Sequence, residues 1–274
     1  MKSFNISNPD KIIFPKDNIS KLDVIKYYFE VSTLMMPFIK NRLLSVIRCH
    51  QSIDKEIFIK KHPTTDKSMI NIYTDDKEEY FYIDKKEQLI YQVQNGTLEF
   101  HIRGSQISKI DKPDMMVFDL DPDEKLSISK LRKTVLKVKS VLDEFNLTSF
   151  LKTSGGKGYH IVIPFKDSKD IDSFYEFSKQ IALIIENKWP KDFTTNIKKD
   201  KRKGKIFIDY LRNNNGATCV APYSIRAKDN APISFPISWD DLNKIKPNSI
   251  NIKNYKKYLN NSWDNFFKVN QKLK

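Results

Sequence analysis

The chain has 274 residues, 39% of them hydrophobic, enough for a globular protein of this length to bury around 70–75% of its unfolded surface without staples. A peptide, a disulfide scaffold and a disordered tail are excluded. Lys plus Arg number 48 against 34 Asp plus Glu, a balance of +14 that attracts polyanions, with nucleic acid the leading partner and an anionic membrane surface the competitor.

In chain order, a polar Asn5-Ile-Ser-Asn-Pro-Asp10 run stands where a signal segment would be apolar. The longest apolar runs, 34–39 and 181–185, fall far below the ~20 residues of a membrane span. The expectation is a soluble cytoplasmic protein with no membrane partner. Ser20 opens a helix in a capping-type Ser-Lys-Leu-Asp context, with Leu22, Ile25 and Phe29 as its apolar stripe and Pro37 as its end. From Leu43 to Arg103, β-rich runs at 43–49, 56–60, 80–83, 89–93 and 98–102 predict a mainly antiparallel lobe.

Asp114 to Asp121 then reads as a buried strand stopped by Pro122. Ile128, Leu131, Val135, Val138, Leu142 and Phe145 recur at helical spacing behind Ser127, a candidate cap. Strands at 148–153 and 159–164 flank a glycine cluster, a helix covers 171–188, and strands follow at 206–211 and 219–222. The expected fold class is mixed α/β (α+β), one domain over 1–274: a β-rich lobe with an N-terminal helix (1–110) packed on a catalytic α/β lobe (111–274), the site lying in the cleft between them.

Scarce residues localise the chemistry. Only seven of the 48 basic residues are Arg, and Arg202, Arg212 and Arg226 fall within one short stretch; three of only seven Gly, Gly155, Gly156 and Gly158, fall within another. Cys49 and Cys219 are too few for a framework or a zinc cage and read as ordinary buried thiols.

Asp119 and Asp121 stand two apart on the predicted strand, so both carboxylates share one face while Phe118 and Leu120 take the other. Like charges this close fit a Mg²⁺ or Mn²⁺ bound through oxygen; the plainer alternative is a strand-end turn whose Asp side chains satisfy backbone donors. Asp209, inside the apolar Phe-Ile-Asp-Tyr-Leu run, needs a partner: a metal shared with Asp119 and Asp121, or an ion pair with Lys205 or Arg212. Lys152-Thr-Ser-Gly-Gly-Lys-Gly-Tyr-His160 joins two strands, and its glycines, Ser154 and Lys157 suit a triphosphate, though the run is no Walker A loop and also reads as a hairpin turn. His160 alternates with Val162 and equally suits a satisfied core histidine. Arg226 directly follows an apolar strand, placed to return to the cleft as a phosphate fork.

In this order the pieces resemble the polymerase domain of bacterial and archaeal DNA ligase D, within the archaeo-eukaryotic primase superfamily. The family's three motifs correspond to Phe118-Asp-Leu-Asp-Pro122, Thr153-Ser-Gly-Gly-Lys-Gly-Tyr-His160 and Lys205-Ile-Phe-Ile-Asp-Tyr210, with flanking matches from Asn8-Pro-Asp-Lys11 to Ser238-Trp-Asp-Asp-Leu242. The resemblance implies a primase-like fold and a nucleotidyltransferase that extends a primer 3′-hydroxyl in non-homologous end joining. By resemblance, Asp119, Asp121 and Asp209 hold two Mg²⁺ or Mn²⁺ ions. Ser154, Lys157, Gly158, His160, His101, Arg202, Arg212, Arg226 and Lys60 contact the incoming nucleotide, with Ser154 near the 2′-hydroxyl that ribonucleotide preference requires.

Asn8, Lys11 and Lys21 match residues that grip the 5′-phosphate across a gap, and Phe58 matches a residue packing on base and template. Here the chain departs from many members, which carry two adjacent aromatics where it has Ile57-Phe58. The implied partners are DNA ends or gapped duplex bearing a 5′-phosphate, NTP or dNTP, a Ku-like protein and a separate ligase, in a prokaryotic cytoplasm at the nucleoid. The ligase and phosphoesterase modules do not fit within 274 residues, so a stand-alone polymerase or an excised domain is expected. Two other classes compete: a non-catalytic basic module bridging DNA ends, and a metal-dependent nuclease using the same Asp cluster.

Overall fold

The computed structural model describes residues 6–63, 67–76, 78–259 and 262–273. Two sheets organise them. A six-stranded sheet has the order Phe193–Thr194, Ile206–Asp209, Met115–Pro122, Tyr159–Pro164, Phe150–Thr153, Pro236–Ile237, antiparallel except for its first pair. A four-stranded antiparallel sheet has the order Cys219–Val220, Thr97–Ile102, Leu44–Cys49, Ile57–Lys60. The chain is mixed α+β, as its patterning predicts, and one continuous apolar core links both sheets. Cys219–Val220 adds to the sheet built by the first hundred residues, so the two parts of the chain interlock through a strand contributed late.

Four α-helices cover the sheets among the described residues. α1 (Lys21–Ile39) starts where Ser20 accepts from the Asp23 amide and Asp23 reciprocates, a capping box. It is tied to the four-stranded sheet by the Tyr28 hydroxyl, which donates to the Leu98 carbonyl, and by the Tyr28–Phe100 ring contact at 5.4 Å. Pro37 does not end it: the helix runs two residues further because Phe38 and Ile39 are buried, and their packing outweighs the amide hydrogen that proline lacks. α3 (Ile128–Glu144), capped by Ser127, and α4 (Ile171–Lys188) bury the expected stripes, including Leu131, Val135, Val138, Phe174 and Ile181. None of these helices is long and apolar enough to cross a membrane.

The run at 89–93, read above as a strand, lies instead in α2 (Lys86–Gln94). Leu89, Ile90 and Val93 occupy i, i+1 and i+4, a helical face, and the Gln88 side chain accepts from the Asp84 and Lys85 amides at the helix start. The Asn71–Asp75 strand, which pairs with Glu78–Tyr82, escaped the sequence pattern because only half-buried or exposed side chains mark it.

Candidate active site

Met115–Pro122 is paired on both sides and delivers the acidic residues. Asp119 stands opposite His160 on one neighbour and opposite Asp209 on the other, so Asp119, Asp121 and Asp209 share one face, with Phe118 and Leu120 buried on the other. The ion pair anticipated for Asp209 exists: a 3₁₀ turn after its strand brings Arg212 Nε to 3.0 Å from Asp209 Oδ2 and 3.8 Å from Asp119 Oδ2. Burial opposes ionisation of Asp119, but His160 and Arg212 overcome it and hold its carboxyl down at about 2. Asp121 is raised by burial and by the Asp119 charge, and Asp209 by burial and Asp119 against the pull of Arg212.

This repulsion bears on whether a divalent cation fits. Among the described residues, no three His, Cys, Asp or Glu side chains are set to hold an ion as they stand. The donor set nevertheless suits one, because three hard carboxylates face the same way and already draw a cation, the Arg212 guanidinium, between two of them.

The loop between Phe150–Thr153 and Tyr159–Pro164 lines one cavity with Asp119 and Asp121, while Asp209 is not among the lining residues. A Cβ on Gly158 would lie 1.8 Å from the Leu120 carbonyl oxygen, so only glycine lets the loop touch the central strand. Buried Ser154 accepts from the Gly156 amide at 3.0 Å, and its own amide donates to the Gly158 carbonyl at 3.1 Å. Lys157 is exposed and paired with Glu124. His160 is buried, with Nε2 3.2 Å from Asp119 Oδ1. It is a satisfied histidine that also lines the cavity.

The other wall comes from the four-stranded sheet. His101 Nε2 lies 2.9 Å from Glu99 Oε2, and Arg226 donates through Nε to the same oxygen at 2.8 Å and through Nη1 to the Ser154 carbonyl at 2.7 Å. Burial disfavours ionised Glu99, but His101 and Arg226 hold it at about 2; burial lowers His101. A cavity of about 330 Å³ between the sheets is lined by His101, Asp119, Asp121, Ser154, Lys157, Gly158, His160, Arg212 and Arg226, with Cys219 and Lys228. Arg202 stands to one side, 3.6 Å from Asp121 Oδ2, its guanidinium 3.5 Å from the Phe207 ring centroid.

Lys60, expected with the nucleotide group, lies instead on a second cavity of about 540 Å³ with Asn8, Lys11, Lys21, Arg48 and His50. Its Nζ is 5.8 Å from the Phe58 ring centroid, and Phe58 packs 5.5 Å from the His50 ring. Burial and the neighbouring Lys11 charge lower the Lys21 ammonium pKa. Sequence reasoning missed Glu99, Lys152, Arg48 and Lys228. The first two had a signal: Glu99 alternates with His101, and Lys152 interrupts an apolar strand.

Three strand carboxylates and a glycine loop stand on a mixed α+β scaffold, and the family match assigns the class, a DNA-directed nucleotidyltransferase of the archaeo-eukaryotic primase superfamily. Residues 20–266 match the family described as LigD, primase-polymerase domain, and the chain belongs to that family. It is 32% identical over 246 residues to the multifunctional non-homologous end joining protein LigD of Pseudomonas aeruginosa, covering 88% of this chain and 29% of that protein. It is also 32% identical over 235 residues to the bifunctional LigD of Bacillus subtilis, covering 85% of this chain and 38% of that one. The chain therefore spans roughly a third of these relatives. Its fold matches that of the polymerase domain from Mycobacterium tuberculosis ligase D, solved in complex with DNA, with a TM-score of 0.83 and 24% identity over 92% of this chain and 93% of the other.

Proposed function

We propose that this chain adds nucleotides to a primer 3′-hydroxyl at DNA gaps or broken ends, with a preference for ribonucleotides, in a reaction that depends on Mg²⁺ or Mn²⁺. The observation that carries the reading is the common face of Asp119, Asp121 and Asp209 beside a loop that a Cβ at Gly158 would displace. The three carboxylates would hold two ions, whose chemistry when bound is to ease attack by the 3′-oxygen and neutralise the triphosphate. Lys157, Arg212, Arg226 and Lys228 line the cavity with positive charge and bind the phosphates. Arg226, braced by Glu99 and the Ser154 carbonyl, enters the cleft already oriented, so little side-chain freedom is lost on binding. Ser154 is the group assigned to the ribose 2′-hydroxyl.

The second cavity is assigned to the 5′-phosphate on the far side of a gap, because Lys11, Lys21 and Lys60 converge there with half-buried stems. A DNA partner is consistent with the DNA complex of the M. tuberculosis domain and with the +14 charge. A Ku-like protein and a ligase supplied separately or in the same polypeptide would complete repair, in a prokaryotic cytoplasm at the nucleoid.

The test is incubation with Mn²⁺, a gapped duplex bearing a 5′-phosphate and labelled NTPs. Wild type is expected to extend the primer, and Asp209→Ala to bind the duplex without extending it. Shortened primer would mean a nuclease, retention without chemistry a bridging module, and appreciable extension by Asp209→Ala would remove the carboxylate assignment.

A further inference from the structure

Lys152 lies on Phe150–Thr153 directly opposite His160 in the sheet, and its side chain is fully buried. The Nζ reaches three groups: the Val220 carbonyl at 3.0 Å, Ser234 Oγ at 2.6 Å and His160 Nδ1 at 2.9 Å. Val220 can only accept. Ser234 Oγ also accepts here, because its proton goes to the Thr153 carbonyl at 3.1 Å. Two of the three ammonium donors are thus spent, and the third position is His160. Lys152 forms no salt bridge among the described residues, so a buried cation is carried without a contacting countercharge, an arrangement that costs several kcal/mol. A tie between sheets would not require that cost, since a neutral polar group would serve.

We infer that Lys152 is a positioning residue for the cleft: by occupying Nδ1 of His160 it keeps the imidazole with its Nε2–H turned on Asp119. The Nζ–Nδ1 contact holds one proton between two nitrogens. With the ammonium donating, Nδ1 accepts and the hydrogen of the neutral ring lies on Nε2, 3.2 Å from Asp119 Oδ1. Asp119 is thereby held through Oδ1, while Oδ2 remains on the side of Arg212 and Asp209. Without Lys152 the nearest group to Nδ1 is the Cys219 sulfur at 3.3 Å, a weak donor that does not enforce one tautomer.

The consequence for catalysis rests on the function proposed above; the tautomer does not. Protein labelled with ¹⁵N-histidine, its four His assigned with the aid of His160→Gln, reports which ring nitrogen is protonated. Wild type at neutral pH is expected to carry a protonated Nε2 at His160. Lys152→Met should give mixed tautomers with the circular dichroism of the fold retained, and lower kcat by about tenfold or more, the usual scale for losing a group that orients a ligating side chain. Lys152→Gln, whose amide can still donate to Nδ1, should restore the single tautomer and part of kcat. An unprotonated Nε2 in wild type overturns the inference with no variant needed, which covers the case of an unfolded Lys152→Met. So does a folded Lys152→Met that keeps the wild-type tautomer. A wild type with the expected tautomer but no polymerase activity would count against the proposed function alone.

Discussion

Glu99 joins the two walls of the cleft at the scale of a single carboxylate. It is buried, accepts from His101, Arg226 and the Ala227 amide, and has its pKa held at about 2 against an ordinary 4.5. A folded-state value below the unfolded one means that the stabilisation is present above about pH 4.5 and is lost as the pH falls toward 2. Breaking a buried pair of this kind costs about 3 kcal/mol. Glu99→Gln should therefore unfold at lower urea than wild type at pH 7, and the difference should narrow as the pH drops through the acid range; a constant difference would mean that the charge contributes nothing. Ser154 offers a different readout. A lost neutral hydrogen bond is worth ~0.5–1.5 kcal/mol, a few-fold to about tenfold in affinity, so Ser154→Ala should weaken UTP incorporation by that factor and spare dTTP. Because Ser154 Oγ also accepts from the Gly156 amide, an equal loss for both nucleotides would assign it to loop structure alone.

At the scale of elements, the glycine loop makes the sharpest prediction. Gly158→Ala would press a Cβ into the Leu120 carbonyl at 1.8 Å and toward Pro122 Cδ at 3.2 Å; backbone cannot step aside as a side chain can. Overpacking of this sort costs about 1–3 kcal/mol or more, and the strand displaced is the one bearing Asp119 and Asp121. Gly204, with φ of +70° and nothing within 4 Å of a built Cβ, risks only left-handed strain of about 1–2 kcal/mol. Gly158→Ala should thus lose polymerase activity out of proportion to its fall in Tm, while Gly204→Ala should lose a little Tm and keep its activity; equal behaviour of the two would refute the contact. The same loop explains what the sequence made legible. Strand alternation placed Asp119 and Asp121 together, and helical spacing located α3 and α4, because these patterns are set by burial on one face. Burial misled at α2, where β-branched Ile90 and Val93 suggest a strand and only the spacing of Leu89, Ile90 and Val93 is helical, and at Pro37, where packing further along the chain outweighs a local rule. Lys152 and Glu99 break the local pattern, yet their roles are not legible there, because a buried charge is meaningful only beside partners that are distant in sequence, Val220 and Ser234 for the one and Arg226 for the other.

Over the whole molecule, the proposed function would divide the binding of DNA into a general part, from the +14 charge, and a local part, from the two cavities. The general part is counterion release, which falls linearly with the logarithm of salt and is indifferent to what the DNA end carries. The local part is the convergence of Lys11 and Lys21. The Lys11 Nζ donates to the His50 carbonyl and the Lys21 Nζ to the Ser7 carbonyl at 2.7 Å, so both are fixed by backbone acceptors that bring no negative charge to neutralise them. A terminal phosphate dianion offers such a pair more than a terminal hydroxyl does. Lys11→Ala with Lys21→Ala should therefore remove the preference for a phosphorylated over an unphosphorylated gap, and should flatten the salt slope by up to about one or two contacts. Loss of affinity for both ends in equal measure would reduce the two lysines to general surface charge. Affinities for the two duplexes measured across a salt series separate these cases, since the ratio at any one salt reports the cavity and the slope reports the surface.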